Sequence, residues 1–100
     1  TCEALWMGVP TLTLPGESFA SRHALSHMAN VGLAEWAVPD LDTYVRMALE
    51  KVADPAALAW LRGGLRARVR ASPLCDPARF GAHLGTALRR IWREACETAG

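Results

Sequence analysis

The sequence predicts an α/β fold, mostly helical, with one or two short parallel strands. Residues 1–7 read as a short buried helix that Gly8 ends, and Pro10 then leads into the apolar, β-branched run of residues 11–14. Pro15-Gly16 follows at once as a loop, so helix, glycine stop, strand and loop together make half of a crossover unit. From Pro39 onward the apolar spacing becomes that of helices, and three Asp residues stand where N-caps belong.

Each element follows from its own residues. After Pro15-Gly16-Glu17, Ser18 or Ser21 can cap a helix running to about Ala29, and Asn30 with Gly32 supplies its stop. Residues 33–38, with Trp36 and Val38, read as a last short strand. Two short strands cannot bury both faces of a sheet, so further strands are expected from elsewhere in a longer protein.

Asp40 then caps a helix whose Leu41, Tyr44, Val45, Ala48, Leu49 and Val52 share one face. Asp54-Pro55 opens the next, with Leu58, Leu61, Leu65 and Val69 on an apolar stripe and Arg62, Arg66 and Arg70 on a polar one. Gly63-Gly64 predicts a bend there or the approach of another backbone. Ser72-Pro73 breaks the pattern, and Asp76-Pro77 starts a final helix with Phe80, Leu84, Leu88, Ile91 and Ala95 on its buried side.

One hundred residues make at most one small domain, and 51% hydrophobic against 21% charged is apolar for a chain of that size, which calls for a partner surface. No apolar run reaches the roughly 18 residues of a membrane span. The absence of an initial Met and of a basic leader predicts a fragment of a longer protein. Cys2, Cys75 and Cys96 have no paired spacing, which points to a reducing, cytoplasmic setting rather than a disulfide or zinc framework. Residues 51–100 carry nine Lys or Arg and four Asp or Glu, a net +5, whereas residues 1–50 carry two and six, a net −4. The halves can complement each other, or the basic half can face an anionic partner.

Three segments carry a resemblance. Thr-Cys-Glu-Ala-Leu-Trp-Met-Gly-Val-Pro followed by Pro-Gly-Glu-x-x-Ala-Ser-Arg, then residues 72–80 (Ser-Pro-Leu-Cys-Asp-Pro-Ala-Arg-Phe), then Ala87-Leu88 with Ile91-Trp92 and Glu94, occur in this order. The set resembles the C-terminal end of the catalytic region of O-linked N-acetylglucosamine transferases, the SPINDLY-like group of glycosyltransferase family 41. The resemblance implies the C-terminal fragment of a GT-B (Rossmann-like) glycosyltransferase domain. Residues 1–38 would be the end of the nucleotide-sugar-binding half, and residues 39–100 a three-helix segment packed on it. It further implies transfer of N-acetylglucosamine from UDP-N-acetylglucosamine to Ser or Thr of proteins, with inversion at the sugar carbon and with neither metal nor cofactor. The catalytic groups and the superhelical (TPR) repeats would lie upstream of Thr1. No catalytic residue is then expected in this chain, which would form one wall of the donor site and be inactive alone.

The donor contacts implied are Glu3, Thr1, Cys2, Glu17 and Arg22. Glu3 matches the acidic position whose carboxylate accepts from the two ribose hydroxyls; a charge complementing the helix dipole is its plainer role. Thr1 lies at the phosphate-binding edge, and Cys2 beside it can be a reactive thiol or a small packing residue. Glu17 and Arg22 sit in a loop that can reach the sugar or a phosphate, or else cap and brace the next helix. His23 and His27 have the i, i+4 spacing of a metal pair, but no intervening acid and no third ligand accompany them, so no metal site is indicated. His83 stands isolated, and the four Trp residues are spread over separate elements as core or interface anchors.

Two alternatives remain. One is a non-catalytic helical interaction module using Arg62, Arg66, Arg68 and Arg70 with Arg89, Arg90 and Arg93; the other is an asparagine glucosyltransferase of the same family. Aromatic residues do not interleave with these arginines, which disfavours nucleic acid as a partner.

Overall fold

A computed structural model describes Thr1–Gly100. Five α-helices follow one another: α1 (Cys2–Trp6), α2 (His23–Asn30), α3 (Leu41–Ala53), α4 (Pro55–Arg70) and α5 (Pro77–Ala99). Three single 3-10 turns, at Ala20–Arg22, Ala34–Trp36 and Pro73–Cys75, complete the regular structure.

The α/β class and its Rossmann-like sheet are not found. The chain is helical, and its only β pairing is one parallel bridge between Thr13 and Ala37. Thr13 N donates to the Trp36 carbonyl at 3.0 Å, and Val38 N donates to the Thr13 carbonyl at 2.9 Å. The reason is local. Residues 34–36 wind into a 3-10 turn, so Ala37 and Val38 alone are left extended opposite Thr13, and with no neighbouring strand the pairing stops there.

The glycine stops are as the sequence implies. At α1, Gly8 takes φ +80°, Gly8 N donates to Leu5 O at 3.1 Å, and Val9 N donates to Ala4 O at 2.8 Å. At α2, Gly32 takes φ +77°, with Gly32 N to Ala29 O at 3.1 Å and Leu33 N to Met28 O at 2.8 Å. Both are Schellman motifs, which need a residue free to adopt the left-handed region. The three Asp caps also form: Asp40 accepts from Thr43 N, Asp54 from Ala57 N and Asp76 from Arg79 N. Ser18 and Ser21 do not cap α2; their hydroxyls bond each other and the Ser18 carbonyl.

The core gathers Leu5, Met28, Val31, Leu33, Trp36, Leu65 and Val69. The Leu58, Leu61, Leu65, Val69 stripe of α4 is its floor, and α1 packs across it. On the shared apolar face of α3, Leu41, Val45, Leu49 and Val52 are exposed while Tyr44 and Ala48 are half-buried, and Met47 packs against the core. The predicted buried face of α5 is corrected. No residue of α5 is buried, and the helix meets the rest of the chain chiefly at the Pro73–Cys75 turn. Gly63 and Gly64 lie in continuous helix with no approaching backbone; the close approach is at Gly8, where an added Cβ would stand 3.1 Å from the Arg62 carbonyl oxygen.

Candidate functional site at the two ends of α1 and the α2 cleft

The five residues of α1 are held firmly at their C-terminal end. Leu5 is fully buried in the core, and two arginines of α4 reach the carbonyls beyond it. Arg62 Nε donates to Gly8 O at 2.8 Å and Arg66 Nε to Trp6 O at 2.8 Å. These carbonyls have lost their helical partners, so a cation there satisfies them and opposes the negative end of the helix dipole. Arg66 and Arg70 also lie over the Trp6 ring, at 5.2 and 5.5 Å from its centroid. Sequence reasoning missed this clamp. Its signal was the arginine stripe of α4 running beside the leucine stripe that binds α1.

The other end of α1 is open. Thr1, Cys2 and Glu3 are exposed, Thr1 provides no side-chain cap, and the first-turn amides have no acceptor within the helix. Cys2 is therefore not a packing residue in this chain. Glu17 and Arg22 line a cleft of about 600 Å³ with Phe19, His23, Ser26 and His27. Arg22 makes no ion pair; its Nη1 donates to the Gly16 carbonyl at 2.9 Å and closes its own loop. Phe19 stacks edge-on against His23 at 4.3 Å. No hydrogen bond joins Glu3 to Glu17 or Arg22, so the predicted residues form two groups, one on α1 and one in the loop before α2.

His27 bridges two clefts. Besides the one above, it lines a second of about 740 Å³ with Asn30, Leu74, Cys75, Arg79 and His83, bringing α2 opposite the Ser-Pro-Leu-Cys motif. Its Nδ1 is buried without a partner, and burial first, with His23 adding to it, holds its pKa below the ordinary 6.5. The His23 and His27 rings are 6.2 Å apart, and nowhere do three His, Cys, Asp or Glu side chains gather to hold a metal ion. No helix is long and apolar enough to cross a membrane.

The basic face proposed for an interaction module is partly spent within the molecule. Arg62 and Arg66 are committed to α1, and Arg90 lies 3.7 Å from Glu94 on its own helix.

Comparison with known proteins gives a consistent result. The chain is 38% identical over 97 residues to a protein of Petunia hybrida described as probable UDP-N-acetylglucosamine–peptide N-acetylglucosaminyltransferase SPINDLY. It is 39% identical over 97 residues to the protein of the same description from Oryza sativa subsp. japonica. Each of these matches takes in 97% of this chain and 10% of the relative. A UDP-N-acetylglucosamine–peptide N-acetylglucosaminyltransferase of Caenorhabditis elegans is 30% identical over 91 residues, 91% of this chain and 8% of the relative. The chain thus spans about a tenth of the length of these curated relatives. The family model described as Glycosyl transferase family 41 matches residues 1–84, from the open turn of α1 into α5, and the chain belongs to that family.

Proposed function

We propose that this chain is part of a glycosyltransferase that moves N-acetylglucosamine from UDP-N-acetylglucosamine to Ser or Thr of proteins, and that it forms one wall of the donor site. The family match over residues 1–84 carries the reading, supported by relatives described as UDP-N-acetylglucosamine–peptide transferases. In it, residues 1–38 face the nucleotide sugar and residues 39–100 brace them. Glu3 accepts from the ribose diol, the amides and hydroxyl of the Thr1–Cys2 turn face the diphosphate, and Glu17 and Arg22 approach the sugar from the neighbouring loop. The exposure of all five supports this, since each is accessible to a ligand.

The catalytic groups and acceptor groove belong to the remainder of the parent protein, and transfer needs no metal or cofactor. Three exposed free cysteines fit a reducing cytoplasm. The test is calorimetric titration of the parent protein with UDP, with Glu3→Ala beside the wild type. Loss of about 1–3 kcal/mol of binding supports the ribose contact, and unchanged binding reduces Glu3 to a helix-end charge. The isolated chain should transfer no sugar; radiolabelled transfer by it would remove the claim of inactivity.

A further inference from the structure

Glu3 projects from a five-residue helix whose opposite end is gripped by α4, and this geometry gives α4 leverage over it. Resting on the donor reading above, we propose that Arg62 and Arg66 are positioning residues for nucleotide binding. They aim Glu3 by fixing the C-terminal carbonyls of α1, without touching the ligand.

Three observations carry this. The two Nε–H bonds, each 2.8 Å, come from successive turns of one helix to carbonyls two residues apart, so together they fix direction as well as position. The guanidinium of Arg66 is itself held, with Nη2 3.5 Å from Met7 Sδ and Cζ 5.2 Å from the centre of the Trp6 ring. Gly8 lets the two backbones meet closely, and buried Leu5 supplies a pivot against Leu65.

Leverage follows from length. Five residues at about 1.5 Å each make an arm of roughly 7 Å, so a swing of about 10° displaces the first turn by about 1 Å, enough to spoil a bidentate hydrogen bond. Lysine cannot replace Arg66, because a single ammonium lacks the planar fork that bonds the Trp6 carbonyl through Nε while keeping its charge over the same residue's indole.

The experiment uses the full-length parent and UDP as probe, with Arg62→Gln, Arg66→Gln, Arg66→Lys, Glu3→Ala and the double variant Arg66→Gln/Glu3→Ala. The expected result is about tenfold weaker UDP binding for each glutamine variant, and no further weakening when Glu3 is already alanine. Arg66→Lys, which keeps the charge and guards against a folding failure of the glutamine variants, should stay weakened. Four outcomes overturn the proposal. Glutamine variants that bind UDP normally while Glu3→Ala does not leave the arginines a structural role and the donor reading intact. Losses that add to that of Glu3→Ala, or full recovery with Arg66→Lys, show an action other than aiming Glu3. Normal binding by Glu3→Ala removes the Glu3 contact and the positioning proposal with it.

Discussion

Gly8 and Arg62 meet twice: the Arg62 Nε donates to the Gly8 carbonyl at 2.8 Å, and the Arg62 carbonyl oxygen lies 3.1 Å from where a Cβ on Gly8 would stand. Gly32 has a similar φ, +77° against +80°, but nothing within 4 Å of its added Cβ. Gly32→Ala should therefore cost only the left-handed backbone penalty, about 1 kcal/mol, and Gly8→Ala about 2–3 kcal/mol because α1 must also move off α4. Denaturant unfolding of both variants checks this, and equal costs would mean that the contact adds nothing.

Ser72 closes α4 from inside. Its buried Oγ donates to Val69 O at 2.6 Å and accepts from Leu74 N at 3.2 Å. Ser72→Ala leaves both groups without that partner and should lower stability by about 1–3 kcal/mol, as read by the urea midpoint.

Leu65 is fully buried in the core cluster that also contains Leu5. Leu65→Ala should cost about 2–5 kcal/mol in the same assay, since the cavity opens under α1.

Stability should depend on pH in two separate windows. The folded chain resists protonating His27, whose pKa lies below 6.5 chiefly through burial, whereas the unfolded chain accepts that proton from about 6.5 downward. The His27 contribution is thus complete above 6.5 and lost as pH falls from there toward the lower folded value. His27→Gln should flatten unfolding midpoints compared at about pH 7.5 and about pH 5.5. Asp40 has its pKa lowered from 3.8, first by the Thr43 backbone N–H, so its cap is fully present above 3.8 and fails as pH drops through the folded value. Asp40→Asn should change only that acid limb.

What was legible in the sequence was what short-range chemistry decides. Gly8 and Gly32 stop their helices, and Asp40, Asp54 and Asp76 start theirs, because each device acts within four residues. The leucine stripe of α4 was readable for the same reason. The sheet was not: residues 11–14 and 33–38 have strand-like composition, but a ladder depends on partners distant in sequence, and here Ala34–Trp36 turns instead. The apolar faces of α3 and α5 were visible as periodicity, yet periodicity does not say whether anything stands opposite. At the candidate site, the exposed turn holding Thr1, Cys2 and Glu3 was named from its motif. The Arg62–Gly8 and Arg66–Trp6 bonds span 54 and 60 residues, so the arginine stripe of α4 is visible in the sequence but its partners on α1 are not.

A 23-residue helix with no buried side chain has a kinetic consequence. Its amides are protected by its own hydrogen bonds alone, so opening them need not wait for the core to open. In a deuterium-exchange experiment the chain should separate into two clocks: slow labelling around Leu5, Met28 and Leu65, and fast labelling along α5 beyond its first capped turn. Whatever slows the second clock in the parent protein marks the surface against which α5 rests.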